Sequence, residues 1–353
     1  MEPTTVGDPH VRPVKRVDIS AHVLPRRYFD AVAALAPPGF YMQKRVSGIP
    51  TLFDLDVRFQ IMDRFDNYAQ VLSLALPPIE AVAPPGKSGE LARIANEELA
   101  ALVAKYPQRF VAAVAGLPLN DVKATLRELD HAVRHLGLRG VQLYTHVNGK
   151  PLDSPELLPV FEAVAALDVP IWLHPARGAT PPDYPDEKKS LYEIWHVFGW
   201  PFDTTIAMTR MIFGGLLDRF PGLKVITHHL GGTVPFLESR IKHAYDQFGA
   251  RTVDEDYAAL LRTLKKHPHE YYRMFYADTA LYGSPPALEC GLAFFGAERV
   301  LFGSDMPFDA EGGSRYIRET IRAIEEMTAS REDKQRMLRG NAVRLLRLDE
   351  QRG

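Results

Sequence analysis

Three histidines and an aspartate stand where short apolar runs end. His22 closes Asp18-Ile19-Ser20-Ala21-His22, His174 closes Ile171-Trp172-Leu173-His174, His229 ends Ile226-Thr227-His228-His229, and Asp305 ends Leu301-Phe302-Gly303-Ser304-Asp305. A lone buried histidine is ordinarily a structural residue whose nitrogens have found partners. Imidazoles and a carboxylate at four such ends make instead the donor set of a divalent ion, zinc foremost and manganese or iron next. The aspartate then either binds the ion or orients a base.

These side chains meet only if the runs that carry them share a mouth. Eight runs rich in β-branched residues recur with helix-patterned segments between them: Val17–Ala21, Gln70–Leu76, Val111–Ala115, Gly140–Tyr144, Pro170–Leu173, Lys224–Thr227, Phe275–Asp278 and Val300–Gly303. Ser154-Pro155 opens a helix over Glu156–Leu167, and Asp203 precedes a long helical segment ending near Phe220-Pro221-Gly222. No Gly-x-Gly-x-x-Gly follows the first run, which removes the main argument for an open dinucleotide-binding sheet. The pattern predicts an α/β chain folded as a (β/α)8 TIM barrel, whose strands aim their C-terminal residues into the mouth.

The longest gaps follow strands one, five and six, where loops cover the mouth. Residues 1–16 read as an N-terminal extension and 17–348 as a single barrel domain. A small aromatic, Pro/Gly-punctuated insertion at about 25–55 follows strand one; C-terminal helices begin at a Ser330-x-x-Asp333 capping box, and 349–353 form a tail. Strand alternation puts Asp18, Ser20 and His22 on one face and turns His228 away from His229, so His228 reads as structural. Strand four ends Tyr144-Thr145-His146 without the lysine that could bridge two metals, so a single ion is expected.

Composition narrows the function classes. The 353 residues are 46% hydrophobic with a formal net charge of −2, which gives a large core and no electrostatic footprint for nucleic acid or an anionic membrane. The single cysteine, Cys290, allows neither an internal disulfide nor a thiolate metal cluster. No apolar run approaches the ~20 residues of a membrane helix, and the first residues have no secretory apolar core. A soluble, cytoplasmic protein acting on a small molecule is expected.

At these residues the chain resembles the amidohydrolase superfamily, specifically the decarboxylase branch of α-amino-β-carboxymuconate-ε-semialdehyde decarboxylase and γ-resorcylate decarboxylase. The likeness runs from Val17 to Leu348. It rests on Asp18 to Pro25, Val57-Arg58 with Met62-Asp63, Gly140-Val141-Gln142 with Thr145 to Asn148, Thr204 to Ala207, Lys224 to Pro235, and Gly303 to Phe308. It implies His22 and His174 as metal ligands, Asp305 as a ligand or proton carrier, and His229 as the acid/base residue. It also assigns Arg58 to a substrate carboxylate and Arg240 to the site of a neighbouring subunit in a homodimer; the alternative for both is an ordinary surface ion pair. Trp195 and Trp200 flank the loop after strand five and either line the substrate pocket or pack.

One position departs from the resemblance. The family begins His-x-His or Glu-x-His, and Ser20 stands at the first of these places. A serine hydroxyl is a poor ligand, so the ion is held by fewer protein ligands, or Asp18 reaches in, or binding is weak or lost. The leading expectation is a metal-dependent nonoxidative decarboxylase of an aromatic or unsaturated carboxylic acid. A metal-dependent hydrolase or hydratase of a lactone, amide or ring-cleavage diacid is the alternative, and a degenerate binding barrel without metal the third.

Overall fold

The computed structural model describes residues 14–36 and 42–351. Eight strand positions follow one another: β1 Arg16–Val23, β2 Tyr68–Leu74, β3 Phe110–Ala113 resuming as Ala115–Gly116, β4 Val141–Tyr144, β5 Ile171–His174, β6 Val225–Thr227, β7 Tyr276–Asp278 and β8 Val300–Leu301. Each pairs in parallel with its neighbours. At the interruption in β3 the chain changes partners: Val114 N donates to Leu72 O of β2 at 2.8 Å, and Ala115 N donates to Gly140 O beside β4 at 2.9 Å.

The ring closes where the last strand meets the first. Ile19 N donates to Phe302 O at 2.9 Å, Asp305 N to Ser20 O at 3.0 Å and His22 N to Met306 O at 2.9 Å, and Ala21 bridges Met306 in parallel. The fold is therefore a (β/α)8 barrel, with β1 and the residues after β8 side by side at the mouth.

Alternate strand residues fill the interior. Val17, Ile19, Val71, Val114, Trp172, Ile226 and Leu301 form one buried cluster with Leu345 and Leu346 of the C-terminal helix Asn341–Leu346. Trp172 crosses this interior to donate its indole N–H to Ile19 O at 2.8 Å. β1 shifts register against β2 between Asp18 and Ala21, a bulge that breaks the expected single face of Asp18, Ser20 and His22. Asp18 is held apart by Tyr68 Oη at 2.6 Å and by Ser304 N and Oγ at 3.0 and 2.5 Å.

Helix boundaries follow local chemistry in part. Ser330 Oγ accepts from Asp333 N at 3.0 Å, as the capping pattern predicts. Asp203, read as the residue before a long helix, lies inside the helix Gly199–Phe213 and accepts from Thr145 Oγ1; its side chain ties that helix to the end of β4 rather than capping it. The described part of the insertion contains the helices Arg26–Leu35 and Gln43–Ser47 and the turn Pro50–Leu52, and the helix Leu55–Met62 follows it. Residues 37–41 of that insertion, most of the N-terminal extension and the end of the tail fall outside the described residues.

One buried acid carries a stability prediction. Glu80, on the short helix Ile79–Val82, is 4% exposed, and burial pushes its carboxyl up to about 8. A carboxyl with a raised folded pKa stabilises the fold while protonated, and that stability is lost as pH rises from the ordinary carboxylate range through about 8. The melting temperature should therefore fall from pH 6 to pH 9 by a few degrees more in the unaltered protein than in Glu80→Gln, at roughly 2–4 °C per kcal/mol. Equal declines would show that Glu80 ionises freely.

Candidate active site

His22, at the mouth end of β1, places its Nδ1 3.2 Å from Leu74 O and 3.1 Å from Ser73 Oγ. His174 ends β5 and sets its Nδ1 2.7 Å from Pro175 O. A ring nitrogen facing a carbonyl must donate, so in both residues Nε2 keeps its lone pair. His22 Nε2 is buried without a hydrogen-bond partner, although Asp305 Oδ1 lies only 3.2 Å away. In the neutral ring this nitrogen and the carboxylate oxygen facing it can share a cation, either a proton or a metal ion.

The end of β6 overturns one expectation. His228 does not turn away: its Nδ1 meets Asp278 Oδ2, and its Nε2 lies 3.3 Å from Asp305 Oδ1. β6 ends at Thr227, so strand alternation no longer governs the following pair. His228 stays extended, and His229 takes a left-handed conformation with φ 53°, a backbone state costing roughly 1–3 kcal/mol. The two rings sit 4.2 Å apart, and His229 Nε2 approaches Asp305 Oδ2 at 3.8 Å. Gly232, at φ 64°, completes the turn, since a Cβ there would stand 2.1 Å from Pro201 O.

Asp305 gathers the group. It too is left-handed, at φ 65°, and its Oδ2 accepts from Tyr282 Oη at 2.8 Å. His22, His174, His228 and Asp305 are all buried, and one donor atom from each lies within 4.8 Å of the others. Donors bound about 2.1 Å from one ion stand about 3–4 Å apart, so the cluster needs little contraction to hold a divalent metal.

Electrostatics follow from burial and this crowding. Burial, with His228 and His22 nearby, holds His174 well below the usual histidine range; burial and His228 likewise lower His229. Burial alone would raise Asp305, but the charge of His228 and its contact at 3.3 Å hold it well below the carboxylate range. Burial disfavours the charged His228, yet Asp278 and Asp305 outweigh it and push the ring up to about 10.

Above the cluster opens a cavity of about 890 Å³. His174 and Asp305 lie at its floor, and Trp195, His196, Trp200, Tyr282, Phe308 and Tyr316 supply aromatic walls. Lys44 and Arg45, from the helix Gln43–Ser47, bring positive charge to it, and Arg45 also donates to Phe308 O.

The expected substrate arginine is not at this cavity. Arg58 is fully buried on Leu55–Met62; it donates to Gln70 Oε1 at 2.8 Å, His22 O at 2.8 Å and Thr51 O at 3.3 Å. It braces the backbone of the ligand-bearing strand, and burial lowers it to about 10. Ile61 and Met62, three and four residues on, are also buried, so the helical face was the signal for this role. Arg240 is exposed on Glu238–Tyr245. Trp195 lines the cavity. Asp18 does not join the donor cluster, and the Ser20 hydroxyl is turned to Asp278 Oδ2 at 2.8 Å.

Sequence reasoning passed over Asp278, Tyr282 and Arg45. Asp278 ends β7, so the rule that singled out the other strand ends finds it as well. Tyr282 lies on a connection and Arg45 on a five-residue helix of the insertion, too short for periodicity to guide.

A family model described as amidohydrolase matches residues 17–348. The chain belongs to the amidohydrolase family. Among relatives, this amidohydrolase is 33% identical over 297 residues to 2-amino-3-carboxymuconate-6-semialdehyde decarboxylase of Dictyostelium discoideum, covering 84% of this chain and 77% of that one. It is 31% identical over 313 residues to gamma-resorcylate decarboxylase of Polaromonas sp. strain JS666, covering 83% and 87%. Its fold superposes with TM-score 0.76 and 27% identity on a dihydroxybenzoic acid decarboxylase of Polaromonas sp. JS666 with bound manganese and the inhibitor 2-nitroresorcinol, covering 95% and 97%. The 5-carboxyvanillate decarboxylase of Sphingomonas paucimobilis superposes with TM-score 0.79 at 26% identity, covering 95% and 99%.

Proposed function

We propose that this amidohydrolase is a metal-dependent, nonoxidative carboxy-lyase acting on an aromatic carboxylic acid. The observation that carries the reading is the convergence of imidazole Nε2 atoms and the Asp305 carboxylate at the floor of an aromatic-walled cavity with Arg45 at its side. His22, His174 and Asp305 would hold the ion. Their donor types suit zinc, manganese or iron, and manganese is the ion bound in the Polaromonas structure.

When bound, the ion supplies Lewis-acid polarisation of a substrate oxygen. The carbon–carbon bond to the carboxylate breaks with its electron pair left on the ring carbon, carbon dioxide departs, and a proton forms the new C–H bond. His229 Nε2, beside Asp305 at 3.8 Å, is placed to carry that proton. Arg45, which lines the cavity, would supply a charge-assisted clamp on the substrate carboxylate, a role for which Arg58 is too deeply buried. Trp195 and Trp200, which line the cavity with their indoles inclined at 67°, would supply apolar contact to the substrate ring.

The further reading is a cytoplasmic homodimer in which Arg240 serves a neighbouring site. Arg240 is exposed, and so is Phe236, at 84%, just before its helix. Among the described residues no helix is long and apolar enough to cross a membrane.

The test is product analysis with a panel of hydroxylated benzoates and the manganese- or zinc-loaded protein. Carbon dioxide and the decarboxylated phenol are the expected products. Products that gain water and keep every carboxylate would assign the protein to hydrolysis or hydration instead. Metal analysis separates both from a degenerate barrel, which would bind neither ion.

A further inference from the structure

The serine on β1 and the second histidine after β6 meet on one carboxylate. Ser20 Oγ donates to Asp278 Oδ2 at 2.8 Å, and His228 Nδ1 meets the same oxygen. The other oxygen, Oδ1, accepts from Ala280 N at 3.1 Å and Leu230 N at 3.5 Å, so the carboxylate is held on both sides. With Nδ1 committed to Asp278, His228 Nε2 is directed at Asp305 Oδ1, which His22 Nε2 also faces at 3.2 Å. The His228 ring is further fixed by stacking on His174 at 4.6 Å and 29°. A carboxylate gripping the far nitrogen of an imidazole is the usual support of a metal-bound histidine.

Space at Ser20 fits the same account. A Cβ on Gly303 would lie 2.6 Å from Ser20 Oγ, and only about 10 Å³ remains free among Ser20, His22, His228 and Asp278. A larger donor on β1 would have to displace Asp278.

We propose that His228 is the fourth protein ligand of the bound ion, supplying from β6 the donor that β1 lacks at Ser20, and that Asp278 and Ser20 are positioning residues that fix its ring. This rests on the metal-dependent reading above. The serine is thus not a defect of the site but part of a relocated ligand.

The experiment strips the full-length protein of metal and titrates it with Mn²⁺ alone, following free Mn²⁺ by electron paramagnetic resonance. Affinity should fall more than about 100-fold in His228→Gln, and about 10- to 100-fold in Asp278→Asn, the usual cost of losing an outer partner. Ser20→Ala should weaken binding less. In His228→Gly, added imidazole should restore affinity, which a merely misfolded variant would not show. Electron spin echo spectroscopy of the unaltered Mn²⁺ protein should count three coordinated imidazoles, and two in His228→Gln. Undiminished Mn²⁺ affinity in His228→Gln, or a count still of three there, overturns the relocated ligand while leaving the metal-dependent reading intact. Failure of the unaltered protein to bind Mn²⁺ or Zn²⁺ overturns both.

Discussion

Replacing His229 by Asn is expected to slow carbon dioxide release by about 10²- to 10⁴-fold, the usual worth of a positioned acid/base group, with metal content unchanged. The ring is buried and stacks on Trp200, which lines the cavity, and its Nδ1 has no hydrogen-bond partner. Nothing therefore ties up that nitrogen, while Nε2 stands 3.8 Å from Asp305 Oδ2. Burial and the neighbouring His228 hold the ring below the usual histidine range, which favours release of a proton from it to the substrate's ring carbon. Initial rates on the metal-loaded protein, normalised to metal content, make the measurement. A loss below about tenfold would move proton delivery to Asp305.

Asp305→Asn should remove bound metal and, with it, carbon dioxide release. Asp305 is the carboxylate in a cluster otherwise made of imidazoles, and it is held ionised despite its burial. An amide of the same shape keeps the packing but loses the negative charge that offsets a divalent ion. Affinity should fall more than the about 10- to 100-fold typical of an outer partner, read as metal retained after gel filtration. Retention of stoichiometric metal would make Asp305 a proton carrier rather than a ligand.

The barrel was legible because its signals are local. Short β-branched runs found all eight strands, and the C-terminal ends of β1, β5 and the run after β8 carried His22, His174 and Asp305 to one mouth. The failures occur where a local rule runs out. Alternation separates His228 from His229 only while the strand lasts, and β6 stops one residue earlier, at Thr227. Asp18 was placed beside Ser20 and His22, but the shift in β1 register takes it to Tyr68 and Ser304. Arg58 carried a motif resemblance that pointed to substrate, while its helical neighbours Ile61 and Met62 pointed inward. Arg45 lies in an insertion, where position relative to the mouth depends on tertiary packing alone.

The seam that closes the barrel has a consequence for how the protein is made. His22 lies on the first strand and Asp305 just beyond the last, and Asp305 N reaches Ser20 O only once that seam has zipped shut. During synthesis the growing chain thus displays His22 and His174 long before the acidic partner has left the ribosome. An ion caught early by those imidazoles would lack its anchoring carboxylate and exchange freely. Firm loading by these groups would then belong to the finished chain, and competing ions would be selected by the folded protein rather than during synthesis.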